Sequence, residues 1–232
     1  MQIGIIGAGN MGGTLGRLWA ERGHEIMFGV RDPGSPKLRA LLDVMDGRAR
    51  VGSIADAAAF GNVVLLATPW SGAEEAVRAA GNLKDKVLID CTNPIVNRKA
   101  VQVNGLSAAE QIARWANGAH VVKAFNTIGW NGVAQPIFDG QLASMFICGD
   151  EEGKSVAAQL AGELKFEVVD FICGDEQGKS VAAQLARELK FEVVDAGELS
   201  SAGMLEQLGA LWVHLAFARG MGRDIAFALL RR

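Results

Sequence analysis

An apolar strand pattern, Gln2–Ile6, runs directly into Gly7-Ala8-Gly9-Asn10-Met11-Gly12, and a helical face follows at once. A strand that turns into a helix this abruptly needs a first glycine for the tight turn. It needs a last glycine where helix and strand backbones come close. Thr14, Leu15, Leu18, Trp19 and Ala20 recur at helical spacing, the pattern stops at Gly23, and Glu25–Val30 reads as a second strand. A strand, turn, helix and strand within about thirty residues describe a crossover between parallel strands.

The alternation continues. Asn62–Ala67, Lys86–Asp90, His120–Ala124 and Ser144–Cys148 read as strands, and Pro36–Met45, Ile54–Phe60, Gly72–Ala80 and Ser107–Trp115 read as helices between them. This pattern predicts an α/β fold, a Rossmann-type, mostly parallel, doubly wound sheet with a small C-terminal helical part. Its ligands are expected beyond the carboxyl ends of the strands.

In that setting the glycine loop reads as a dinucleotide site. Gly9 lets a pyrophosphate approach the backbone, and the helix start at Asn10, Met11 and Gly12 offers free N–H groups to the anion. The second strand ends Gly29-Val30-Arg31. A carboxylate at this tip would bind the ribose 2′-hydroxyl of NAD; Arg31, with Lys37 after the turn DPGSP, suits the 2′-phosphate of NADP instead. Asp32 is the counter-signal, since a shift of one residue would carry it towards the ribose.

The other strand ends carry Thr68-Pro69-Trp70, Cys91-Thr92-Asn93-Pro94-Ile95 and Phe125-Asn126-Thr127-Ile128. They contain no histidine, and their nearest charges are Asp90 and Lys123. Reduction of a carbonyl needs a proton donor near the developing alkoxide. Hydride passage between two flat rings needs stacking, distance and orientation. Thr68, Pro69, Asn93 and Asn126 fit ring positioning with no acid or base. Asn also closes turns, so each residue alone is ambiguous; three such segments at adjacent strand ends point to a site. His24 is expected to be exposed, His120 opens a strand, and His214 is expected in a core or interface. No His, Cys and acid cluster has metal spacing.

Residues 146–170 and 171–195 are near-copies, differing only at Glu152/Gln177 and Gly162/Arg187. Two copies are too few for a solenoid, so they read as a tandem duplication of one strand–helix–strand unit. Each contains CGDExGKS, close to the phosphate loop G-x-x-x-x-G-K-[ST]. Only three residues separate the glycines, and they are acidic where phosphate would lie. Asp150 and Asp175 read instead as helix caps, and Lys154 and Lys179 as surface residues.

The chain has 232 residues and a net charge of −3, against a broad nucleic-acid footprint. The start lacks a basic n-region and cleavage site, and no apolar run is long enough to span a bilayer. Cys91, Cys148 and Cys173 suggest reduced thiols and a cytoplasmic setting. Residues 1–195, duplication included, form the expected nucleotide-binding domain. Residues 196–232 form a helical segment whose apolar face, Leu205 to Ala216, covers a sheet edge, completes a pocket or pairs two subunits. A short helix, Asp224–Leu230, is expected to finish the chain, and a homodimer is expected.

The segments GIIGAGNMGGTLG, FGVRD, LLATPW, VVKAFNTIGW and GMGRDIAFALL resemble the coenzyme F420-dependent NADP oxidoreductases. VVKAFNT also resembles the reductase domain of the six-transmembrane metalloreductases. The resemblance covers nearly the whole chain apart from one repeat copy. It implies NADP(H) held by Gly7, Gly9, Asn10, Met11 and Gly12, with Arg31 on the 2′-phosphate. It also implies nicotinamide near Thr68, Pro69, Asn93 and Pro94, and an F420, FMN or FAD ring near Asn126, Thr127 and Ile128. Family members often carry a hydroxyl residue where this chain has Val30. The alternatives are an imine or 2-hydroxy-acid reductase, and a nonenzymatic NADP-sensing protein.

Overall fold

In a computed structural model, described residues are 1–96, 99–102, 105–138, 140–149, 151–164, 167–170 and 199–227. The strands are β1 (Gln2–Ile6), β2 (Glu25–Gly29), β3 (Ala49–Gly52), β4 (Val63–Leu66), β5 (Val87–Asp90), β6 (Ile95–Val96), β7 (Lys99–Ala100), β8 (His120–Lys123), β9 (Ile137–Phe138), β10 (Gln141–Leu142), β11 (Ser144–Gly149) and β12 (Glu167–Asp170). The α-helices are α1 (Asn10–Glu21), α2 (Pro36–Asp43), α3 (Ile54–Phe60), α4 (Ala73–Ala80), α5 (Ala108–Trp115), α6 (Trp130–Ala134), α7 (Glu151–Glu163) and α8 (Ala202–Val213).

Eight strands form one sheet in the order β12-β11-β8-β5-β4-β1-β2-β3. From β3 to β8 every neighbouring pair is parallel; β11 runs antiparallel to β8, and β12 parallel to β11. The order β3-β2-β1-β4-β5-β8 is that of the dinucleotide-binding fold, so the doubly wound expectation is met. Strand β3 was not anticipated, because Ala49-Arg50-Val51-Gly52 is too short and too polar to show a strand period.

The central strands are apolar on both sides, as parallel strands covered by helices must be. Ile3, Ile5, Leu65 and Ile89 face a core with Leu15 and Trp19 of α1 and Leu160 of α7. Ile6, Val64, Leu66 and Leu88 face the opposite core with Val77 of α4 and Ile112 of α5. Capping boxes at Ser53/Asp56 and Ser107/Glu110 start α3 and α5.

The first repeat copy forms the strand–helix–strand unit expected of it: β11, α7 and β12. Trp19 Nε1 donates to Leu160 O at 3.1 Å, and the Arg22 guanidinium donates to Glu163 O. The second copy, residues 171–195, lies outside the described residues, as do both proposed caps, Asp150 and Asp175.

Two expectations, and the core alternative for His214, need correction. His24 is buried, with its ring between the Met1 amino group and the Glu163 carboxylate. His214 is exposed, at the start of a π-helical turn that ends α8. Residues 224–227 are not helical. Gly220 and Gly222 have φ of +69° and +78°, which break the helix. The strip beyond is tied down by Trp212 Nε1 donating to Ile225 O and Ser144 N–H donating to Phe227 O.

Helix α1 sits so close to β1 that a Cβ on Gly12 would lie 2.0 Å from the Gly7 carbonyl oxygen. Gly12→Ala is expected to cost about 3 kcal/mol or more of stability, measured by urea unfolding. An unchanged midpoint would show that the helix can shift freely.

Candidate functional site

The glycine loop hangs where the sheet changes direction, between β1 and β4. Gly7 N–H donates to Gly29 O at 3.0 Å and Ala67 N–H to Ile6 O at 2.9 Å, so the loop is pinned to the strands on both sides. Gly7 has φ of +102°, a left-handed turn that suits glycine. Gly9 is the N-cap of α1 and no side chain caps the first turn. A Cβ on Gly9 would meet nothing within 4 Å. The positive end of α1 therefore faces open space, as an anion site requires.

That space is a cleft of about 360 Å³. Gly7, Ala8 and Gly9 form one wall, Ala67, Thr68 and Pro69 another, and Arg31, Ser35 and Lys37 the polar end. Arg31 also borders an adjoining recess of about 190 Å³ with Ile54, Ser71 and Glu75. Asp32 lines the cleft too, but its Oδ1 accepts the Gly34 N–H at 2.9 Å and is committed to its own turn. Ser35 is the N-cap of α2, yet its hydroxyl makes no capping bond. It supplies a hydroxyl that Val30 lacks. Its place before Pro36 at a helix start was the available signal, although it reads first as a cap. An uncapped helix start, an open glycine and two cations with a hydroxyl fit a dinucleotide carrying an extra phosphate. Thr68 Oγ1 is buried without a hydrogen-bond partner, consistent with a missing one.

The other expected residues lie outside this cleft's lining. Asn10, Met11 and Gly12 form the first turn of α1 behind the loop. Asn93 and Asn126 come together: Asn93 Nδ2 donates to Asn126 O at 2.8 Å, and Asn126 Nδ2 donates to Asn93 Oδ1 and to Leu205 O, each at 3.1 Å. Phe125, fully buried, holds φ of +60°, which is uncommon for a residue with a Cβ. Pro94, Thr127 and Ile128 are buried. Helix α8 covers this segment, since a Cβ on Gly209 would lie 2.9 Å from both Asn126 O and Asn93 Oδ1.

Beneath the amide pair is a buried charge cluster. Lys123 Nζ donates to Asp90 Oδ2 at 2.8 Å and to Thr92 O at 2.5 Å, and lies 3.3 Å from Glu206 Oε1. Glu206, from α8, was not anticipated; a single acid in an apolar helix carries no motif. Its carboxylate also accepts the Ala108 and Ala109 N–H groups at the start of α5. Burial alone would lower the Lys123 pKa, but Asp90 and Glu206 outweigh it and the net shift is upward. Lys123 is thus a fixed ammonium at neutral pH, a poor proton donor. Burial, with Asp90 beside it, pushes the Cys91 thiol up to about 12 against the opposing effect of Lys123. Among the described residues no group of His, Cys, Asp and Glu could hold a metal ion.

Residues 2–94 match the family described as NADP oxidoreductase, coenzyme F420-dependent. Among solved structures, a candidate F420-dependent NADP-reductase from Arthrobacter sp. FB24 is 28% identical, with a TM-score of 0.76 and full coverage of both chains. A protein from Sinorhizobium meliloti shares the fold at 22% identity, with a TM-score of 0.67, covering 100% of this chain and 96% of that one. A reductive aminase from Aspergillus terreus, solved with NADPH4, shares it at 16% identity and a TM-score of 0.59. That match covers 94% of this chain and 62% of the aminase. The F420-dependent family likeness read from GIIGAGNMGGTLG, FGVRD and LLATPW is thus borne out in residues 2–94. The chain is similar in its first part to NADP oxidoreductases and over its full length to a structure described as one.

Two outcomes follow from the geometry. Gly9→Ala is expected to leave stability within about 0.5 kcal/mol, because φ there is −72° and the space is open. It should weaken NADPH binding at least about tenfold by filling the phosphate approach, as calorimetry would show. Cys91 should resist iodoacetamide at pH 8 under conditions that alkylate the urea-unfolded chain, because thiolate forms only as pH nears 12. Peptide mass spectrometry reads this directly.

Proposed function

We propose that this chain transfers hydride between NADP(H) and a deazaflavin (F420) or flavin (FMN or FAD) acceptor. The observation that carries the reading is the chemistry of the strand ends. At the ends of β5 and β8, Asp90 and Lys123 are buried, Lys123 pairs with both Asp90 and Glu206, and Cys91 is held as a thiol. What remains is suited to orienting rings. Full-length similarity to a candidate F420-dependent NADP-reductase supports the acceptor class.

When bound, NADPH supplies the hydride from its nicotinamide ring. The α1 N–H groups and Gly9 hold the pyrophosphate, and Arg31, Lys37 and Ser35 hold the 2′-phosphate. Thr68 and Pro69 form the wall beside the nicotinamide, with Thr68 Oγ1 free to bond its edge. The Asn93–Asn126 pair, with Pro94, orients the reacting end; Thr127 and Ile128 support it from beneath. Asn10 and Met11 contribute backbone, and Gly12 the close packing that aims α1. No side chain on this face is assigned a proton transfer. An imine or 2-hydroxy-acid reductase would need such a donor, which weighs against the reading suggested by the aminase fold.

The homodimer belongs to the same proposal. Met204, Leu211, Phe217 and Met221 are exposed on and after α8. Light scattering at micromolar concentration is expected to give twice the chain mass.

The deciding experiment is an anaerobic absorbance assay with NADPH or NADH and F420, FMN or FAD in parallel. Loss of one oxidised acceptor band, faster with NADPH, is expected. NADPH binding without turnover would favour an NADP-sensing protein. Arg31→Ala should weaken NADPH about 10- to 100-fold, with NADH changed less than about threefold. Equal weakening of both would remove the 2′-phosphate assignment.

A further inference from the structure

We infer that Lys123 and Glu206 are positioning residues. Their buried charges fix the Asn93–Asn126 amide pair against α8 and so set the geometry of hydride transfer. This rests on the function proposed above.

The argument follows the contacts outward from the ammonium. Lys123 Nζ donates to Thr92 O, and Asp90, which also holds Lys123, accepts the Thr92 N–H at 2.8 Å. Thr92 is thus gripped through both its backbone groups, and Asn93 follows it directly. Lys123 itself ends β8, three residues before Asn126. On the third side it meets Glu206, whose neighbour Leu205 gives its carbonyl to Asn126 Nδ2. Gly209, one turn further along α8, presses on both asparagines. All three segments that hold the amide pair are therefore joined at one cation.

The charge count shows that the arrangement is built for geometry. One ammonium faces two carboxylates, and the second is offset by the N–H groups of Ala108 and Ala109 at the start of α5. An apolar cluster would hold three segments together with less desolvation. Only directional bonds fix their angles and distances, on which a transfer between stacked rings depends.

The test uses two variants of the full chain that disturb the cluster from different sides. Glu206→Gln removes one charge and keeps the shape. Gly209→Ala leaves the charges and pushes α8 from the amide pair. For both, NADPH affinity is expected to change less than about threefold, because the cation end of the cleft is untouched. Turnover is expected to fall at least about tenfold, with a larger primary isotope effect from 4-deuterated NADPH as the transfer distance lengthens. Independently of turnover, the side-chain amide signals of Asn93 and Asn126 in ¹⁵N spectra should shift and lose protection from solvent exchange.

Unchanged amide signals in both variants would overturn the inference, whatever the kinetics. So would shifted amide signals with wild-type turnover. If the wild-type chain turns over no acceptor, the function proposed above fails instead, and the amide signals alone decide whether the charges position the pair. Urea unfolding of each variant separates these effects from lost stability. If Glu206→Gln does not fold, Glu206→Asp, which keeps the charge and shortens its reach to Lys123, decides by the same amide signals.

Discussion

A single buried ammonium, that of Lys123, ties the ends of β5 and β8 to α8. Removing a charge from water costs several kcal/mol, and that cost is offset only where good partners surround it. Here the partners come from β5, from Thr92 two residues beyond it, and from α8. Losing the ammonium would leave two carboxylates without a cation in the core, at a cost of about 3–5 kcal/mol. The sheet order brings β5 and β8 together, the cation locks their ends, and α8 closes over them. The C-terminal helix is in this way part of the nucleotide-binding domain and not an appendage to it.

The cofactor end works on a different principle. It is backbone and space: a left-handed glycine, an open glycine and a helix start without a cap. Nothing there is locked by side chains, and the cations at the rim are exposed. Binding and reacting geometry are thus held by separate devices, one electrostatic and at the surface, the other hydrogen-bonded and buried.

Much of this was legible in the residues. Gly7, Gly9 and Gly12 mark their positions for different reasons: Gly7 takes a left-handed turn, Gly9 leaves the helix start open, and Gly12 lets helix and loop approach closely. Helices α3 and α5 were readable from their apolar spacing, and the structure adds Ser53 and Ser107 as their caps. The strand ends pointed to Asn93 and Asn126, which do meet. Glu206 was not legible, since its partners are about a hundred residues away and only the folded chain brings them near. Ser35 hid behind its role as a cap. Residues 224–227 of the expected final helix are not helical for a physical reason: the carbonyls of Ile225 and Phe227 find partners at Trp212 and Ser144 instead of within the segment. His24 looked exposed because it follows a turn glycine; its burial comes from α7.

The seat that α7 occupies has a genetic consequence. Every α7 residue buried in the core or bonded to α1, from Gly153 through Ala157, Leu160 and Ala161 to Glu163 and Leu164, has an identical counterpart twenty-five positions later. The two differing positions, 152 and 162, also lie in α7. A crossover between the direct repeats, wherever within them it falls, therefore leaves one copy in which each of these core and bonding residues is kept.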